Sequence, residues 1–106
     1  MGVDIIGTFF LFKNSKKRTP ILRDFWCISN TKGGNNKDSC YIYFIDKKML
    51  QLGESCSVEF KYKFSDDSRF EKDIKVGDII ELCEGEKLIG ELVVETIFNN
   101  KLLNNQ

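Results

Sequence analysis

The chain has 106 residues, 42% of them hydrophobic and 30% charged, with nine Phe; this excludes a disordered chain and predicts one domain that folds without metal or disulfide. Its net charge is zero and it contains no His, which removes both the simplest argument for nucleic acid and the commonest general base and metal ligand. No apolar run reaches the roughly 18 residues of a membrane span, and Met1–Ile6 lacks the basic and apolar regions of a secretion signal, so no membrane partner and a cytoplasmic location are expected.

In chain order, Ile5 to Phe12 is a β-branched and aromatic run that predicts a strand buried on both faces. A polar loop, Lys13-Asn14-Ser15-Lys16-Lys17-Arg18, leads to Pro20, the only proline, which disfavours helix at Thr19. Ile21 to Ser29 reads as a second strand, Gly33-Gly34-Asn35-Asn36 as a turn-rich connection, and Cys40 to Ile45 as a third strand. Asp46 to Glu54 suggests at most a short helical turn, since Gly53 closes it too soon for a stable helix.

The strongest signal follows. From Ser55 to Phe64, Cys56, Val58, Phe60, Tyr62 and Phe64 alternate strictly with Ser55, Ser57, Glu59, Lys61 and Lys63, which predicts a strand with one buried face. Ser65-Asp66-Asp67-Ser68 is a turn, Arg69 to Ile74 a short edge strand anchored by Phe70, and Val76-Gly77-Asp78 another turn. Ile79 to Glu84 and Leu88 to Phe98 are strands joined in a tight hairpin at Gly85-Glu86, where Gly supplies a positive φ. Gly90, inside the last strand, predicts a bulge or a close backbone approach. The expected fold is all-β, a single antiparallel β-barrel over residues 1–98, with 99–106 a frayed tail on which Leu102 and Leu103 offer docking groups.

Catalytic chemistry has no platform in this composition. There is no phosphate-binding Gly-Lys-Ser/Thr loop and no nucleophile–base motif. The acid pairs Asp66-Asp67 and Glu84/Glu86 fall in turns, where solvated carboxylates are ordinary. No catalytic residue, metal site or cofactor is expected, and the protein reads as a binder rather than an enzyme. Cys27, Cys40, Cys56 and Cys83 contain no C-x-x-C spacing. Buried thiols are the main reading, with a disulfide and a metal as alternatives.

Three stretches resemble the third, C-terminal domain of the elongation factor Tu family. One is Gly7-Thr8-Phe9-Phe10-Leu11-Phe12 followed by a basic loop and Arg18-Thr19-Pro20, where the family has a strand, a Gly-rich loop and His-Thr-Pro. Another is Leu52-Gly53-Glu54 before the alternating strand, where the family has Pro-Gly-Asp. The last runs from Val76 to Val94 and is similar to the family's closing hairpin. The resemblance implies an antiparallel barrel, standing here without the GTPase domain and second barrel of the parent, and contacts with tRNA and partner proteins. Within that hairpin the sequence departs from the family: Cys83 and Lys87 stand where it has Arg, and Glu86 where it has Gly. Losing Arg and gaining Glu weakens phosphate attraction.

Charge is divided along the chain. Residues 1–53 carry nine Lys/Arg against four Asp/Glu, and residues 54–106 carry seven against twelve. This division either gives the folded domain two electrically distinct faces or averages out where strands of the two halves interleave. Neutral net charge and the lack of a catalytic set make a protein the expected partner, and the acidic second half suggests one version, a toxin neutralised by this chain as an immunity or antitoxin-type inhibitor. The alternative is RNA, including tRNA, held by Lys16, Lys17 and Arg18 with Arg23 and Trp26 nearby; DNA is not expected. Glu84, Glu86 and Lys87 of the closing hairpin complete the candidate binding residues. Phe25-Trp26 and the Tyr41/Tyr43 pair are candidate interface anchors, with filling of the barrel as the competing role for Trp26. A third reading has the Arg69–Ile74 edge accepting a partner strand.

Overall fold

Side chains largely alternate between core and solvent along the long strands of the computed structural model, which describes residues 2–13, 21–34 and 37–103. The strands are β1 (Ile5–Leu11), β2 (Ile21–Leu22), β3 (Asp24–Thr31), β4 (Lys37–Phe44), β5 (Met49–Leu50), β6 (Ser55–Tyr62), β7 (Ile79–Glu84) and β8 (Lys87–Ile97). Six of them close into one antiparallel barrel in the order β1-β6-β4-β3-β7-β8, and β8 returns to pair with β1. β2 and β5 form a separate two-stranded ribbon. The fold is all-β, and closure leaves none of the six strands with an open edge.

Inward residues fill the barrel. Phe9 packs against Phe25 and Phe44 with ring centroids 6.0 and 6.2 Å apart, and Phe60 meets Tyr62 edge-on at 4.7 Å. Ile5, Leu11, Ile42, Val58, Ile80, Leu82 and Leu92 complete the apolar interior. At the seam between β1 and β8 two glycines permit the approach of the backbones. A Cβ on Gly90 would lie 2.3 Å from the Phe10 carbonyl oxygen, and one on Gly7 would lie 2.3 Å from that of Val93. The close approach expected at Gly90 is thus present. A bulge accompanies it: Leu82 opposes Gly90 while Cys83 opposes Leu88. Gly85, at the hairpin turn, has φ +60°.

Several expectations are corrected. β1 alternates rather than burying both faces, and Phe10 stands 42% exposed on its outer side. The predicted second strand is split at Arg23, because β2 leaves the barrel to pair with β5. That pairing also replaces the helical turn considered for Asp46 to Glu54: Leu50 is buried, and Gly53 turns the chain with φ +85°. The alternating strand ends at Tyr62 rather than Phe64. The Ser65 N–H donates to the Tyr62 carbonyl at 3.2 Å, which turns Phe64 outward to 60% exposure. No strand forms over Arg69–Ile74, where only Asp73 bridges to Leu103. Asp67 instead caps a turn by accepting from the Arg69 N–H at 2.8 Å, and Ile74 is buried with its N–H donating to Leu102 O at 2.7 Å.

The segment beyond residue 98 is held against the barrel as far as Leu103. Leu102, in a 3-10 turn at Asn100–Leu102, is fully buried. Asp4 ties this segment to β6. Its buried carboxylate accepts from the Tyr62 N–H at 2.9 Å and from Asn99 Nδ2 at 3.0 Å, and its carbonyl accepts from the Phe98 N–H at 2.8 Å. No helix among the described residues is long and apolar enough to cross a membrane.

Candidate functional site

Period two sends Phe25, Cys27 and Ser29 of β3 inward and leaves Asp24, Trp26 and Ile28 on the outer face. β4 does the same, burying Cys40, Ile42 and Phe44 and presenting Ser39, Tyr41 and Tyr43. Register then assembles rows across three strands. Trp26 opposes Tyr41, which opposes Lys61; Asp24 opposes Tyr43, which opposes Glu59. One step further, Ile28 opposes Ser39, whose carbonyl accepts from the Lys63 N–H. The outer face of β3, β4 and β6 is an aromatic strip with charges of both signs around it.

Trp26 is 53% exposed, so it does not fill the barrel; its neighbour Phe25 does. The Trp26 and Tyr41 rings are 5.1 Å apart. The Tyr41 hydroxyl donates to the Asp24 carboxylate at 3.0 Å. Partial desolvation and that carboxylate push the tyrosine's pKa up from its ordinary value. Arg23, at the break between β2 and β3, lies over the Tyr43 ring at 5.5 Å and donates through Nε to Lys47 O at 3.3 Å. The aromatic strip thus carries a guanidinium at one end.

Lys61 belongs to the outer face yet is only 8% exposed, because the 64–66 turn folds over it. Its ammonium donates to Ser65 Oγ at 2.8 Å and sits 3.4 Å from the Asp66 carboxylate. Lys72 pairs with Asp38 and lies 5.7 Å above the Tyr62 ring, fastening the following loop to β4. These two lysines are committed to structure. Lys63, by contrast, is exposed and lies over the Phe64 ring at 5.3 Å.

Two cavities flank the strip. A groove of about 410 Å³ is lined by Trp26, Cys27, Ser39, Lys63, Cys83 and Glu84. A smaller cavity of about 140 Å³ lies on the other side, lined mainly by Tyr41, Tyr43, Glu59 and Phe60. The structure therefore brings Trp26 and Glu84, two of the residues singled out from sequence, to the same groove. Arg23 joins the strip through Tyr43. Glu86 and Lys87 are exposed at the hairpin tip. Lys16, Lys17 and Arg18 lie outside the described residues.

Cysteine placement is specific. Cys27 and Cys40 face each other across β3 and β4 with their Sγ atoms 3.3 Å apart, and all four cysteines are free thiols. The hydrogen bond with Cys40, reinforced by burial, pushes the Cys27 thiol well above its ordinary range. Burial pushes Cys56 up to about 11 and raises Cys83. Among the described residues no group of three or more His, Cys, Asp or Glu side chains is arranged to hold a metal ion.

Sequence reasoning did not bring Ser39, Lys63 and Cys83 to Trp26. The signal that places them there is the register of β3 with β4 and β7 and of β4 with β6, which no local pattern carries. Comparison of the chain with protein-family models and with curated proteins gives no match.

Proposed function

We propose that the protein is a non-catalytic binding module that docks a protein partner on the outer face of β3, β4 and β6. The observation that carries this reading is Trp26, the only tryptophan, standing more than half exposed in ring contact with Tyr41. A large aromatic side chain left in water on a closed barrel contributes little to folding, whereas tryptophan and tyrosine dominate binding hot spots. The surrounding charges suit a protein better than a phosphate backbone. Asp24 and Glu59 flank Tyr43 in register, and Glu84 shares the groove with Trp26, against Arg23 and Lys63. Mixed signs around an apolar centre are the usual anatomy of a protein interface.

The resemblance of Gly7–Phe12, Leu52–Glu54 and Val76–Val94 to the third domain of elongation factor Tu supports a more specific version. In it, the chain is a counterpart of that barrel, acting in the cytoplasm on a partner as an immunity or antitoxin-type inhibitor. The partner is then a toxin, and the inhibitor blocks it by occupying its surface rather than by reacting with it.

The test is recovery of the tagged full-length protein from its host, with and without nuclease, beside a Trp26→Ser/Tyr41→Ser double variant. A stoichiometric protein that survives high salt and is lost from the variant supports the proposal. RNA in the eluate, falling away as salt rises from roughly 50 to 200 mM, overturns it in favour of phosphate-directed binding. Co-expression with the recovered partner then decides the inhibitor version: growth arrest by the partner alone must be relieved by the parent chain and not by the double variant.

A further inference from the structure

We infer that Cys27 and Cys40 form a reversible dithiol–disulfide couple, a modification site that stands independently of the docking reading above. The two residues are direct cross-strand partners in the β3–β4 ladder. Their Sγ atoms are 3.3 Å apart, so bond formation at about 2.0 Å needs roughly 1.3 Å of approach and no change of register.

Access is one-sided. Cys27, whose side chain points into the barrel, is 6% exposed and its residue borders the groove beside Trp26, whereas Cys40 is fully buried. An external reagent therefore reaches Cys27 before Cys40, and Cys40 can resolve only what forms there. The other cysteines are placed differently. Cys83 opposes Ile28 of β3, and Cys56 opposes Phe9 in the β1–β6 ladder.

The oxidant is a low-molecular-weight disulfide, such as oxidised glutathione. The Cys27 thiolate attacks one of its sulfurs, forming a mixed disulfide and releasing one thiolate. Cys40 then attacks Cys27 Sγ, forming the intramolecular bond and releasing the second. Two protein thiols are oxidised, one external disulfide is reduced to two thiols, and the two protons pass to the leaving groups. The raised Cys27 thiol makes the exchange slow at neutral pH and faster as pH rises. The new bond would staple β3 to β4 next to the Trp26–Tyr41 pair and close a loop spanning the 13-residue separation of the two cysteines.

The experiment equilibrates the native, fully reduced chain in glutathione buffers of increasing oxidised fraction, traps it in acid, alkylates it in denaturant and maps the peptides. The expected result is a Cys27–Cys40 linked peptide whose mass is lower by the two hydrogens lost. Its population follows the buffer ratio and returns to dithiol with dithiothreitol. The oxidised form should melt on the order of 10 °C higher than the reduced one. A Cys83→Ser variant should reach the same equilibrium. The inference is overturned if Cys27 and Cys40 both stay alkylatable at the most oxidising ratio. It is equally overturned if the linkage joins Cys27 to Cys83, or if it disappears in Cys83→Ser.

Discussion

Placing a methyl group at Gly90 should strain the seam on which barrel closure depends. The added Cβ would lie 2.3 Å from the Phe10 carbonyl oxygen and 2.7 Å from the Phe9 ring at Cε1. An unstrained carbon–oxygen contact between strands is about 3.3 Å, so β1 and β8 must separate locally by about 1 Å. The obstacle is backbone, which cannot rotate away as a side chain would. Overpacking of this kind costs about 1–3 kcal/mol, and weakening one neighbouring ladder hydrogen bond adds about 1 kcal/mol. Loss of glycine's freedom in the unfolded chain offsets about 0.4–1 kcal/mol. The net expectation for Gly90→Ala is a loss of about 1–3.5 kcal/mol, a large share of the stability of a domain this size. In urea, with a slope near 1 kcal/mol per molar, the unfolding midpoint should fall by about 1–3.5 M. Gly7→Ala should behave similarly, since its Cβ would meet Val93 O at 2.3 Å, while Gly2→Ala, with nothing within 4 Å, should change little. A Gly90→Ala midpoint within about 0.5 M of the parent would refute the reasoning, because β1 and β8 could not then be as close as described.

Asp4→Ala should cost about 2–4 kcal/mol, because the buried Tyr62 N–H and the Asn99 amide lose their acceptor; denaturant titration and faster hydrogen exchange at Tyr62 check it. Trp26→Ala should change stability by less than about 1 kcal/mol, since the side chain is largely exposed, yet weaken partner binding tenfold or more, as titration calorimetry would read. Under reducing conditions, stability should decline as pH rises from about 9 to 11. Cys56 is held up to about 11, burial raises Tyr62, and the Cys40 contact with burial raises Cys27. The folded chain keeps protons in that window that the unfolded chain releases, so unfolding gains with pH. Urea midpoints at pH 7, 9 and 10.5 test the sign, and a constant midpoint would contradict it.

Local pattern carried most of the barrel wall. Alternation from Ser55 to Tyr62 is strict, so the inward placement of Cys56, Val58, Phe60 and Tyr62 could be read directly from the chain. The hairpin at Gly85 and the tight approach at Gly90 were legible for a related reason: glycine inside or between strands marks a place where a side chain is not tolerated. Phe64 was misplaced because periodicity does not contain the turn that ends a strand; that turn is a hydrogen bond from Ser65 to Tyr62. Arg69–Ile74 reads as an edge in sequence, but Ile74 spends its N–H on the Leu102 carbonyl, nearly thirty residues away.

The candidate site divides the same way. That Phe25 and Trp26 face opposite sides follows from their being adjacent in a strand, but which of the two faces the core depends on β3 pairing with β4 and β7. Sequence by itself determined that this chain has two-faced strands, an apolar interior and no histidine chemistry, since side-chain direction and residue type are local properties. Only the tertiary structure decided that Trp26 meets Tyr41 over a groove shared with Glu84, and that Cys27 touches Cys40. Both depend on interstrand register, an outcome of closing the whole sheet that no short window of residues specifies.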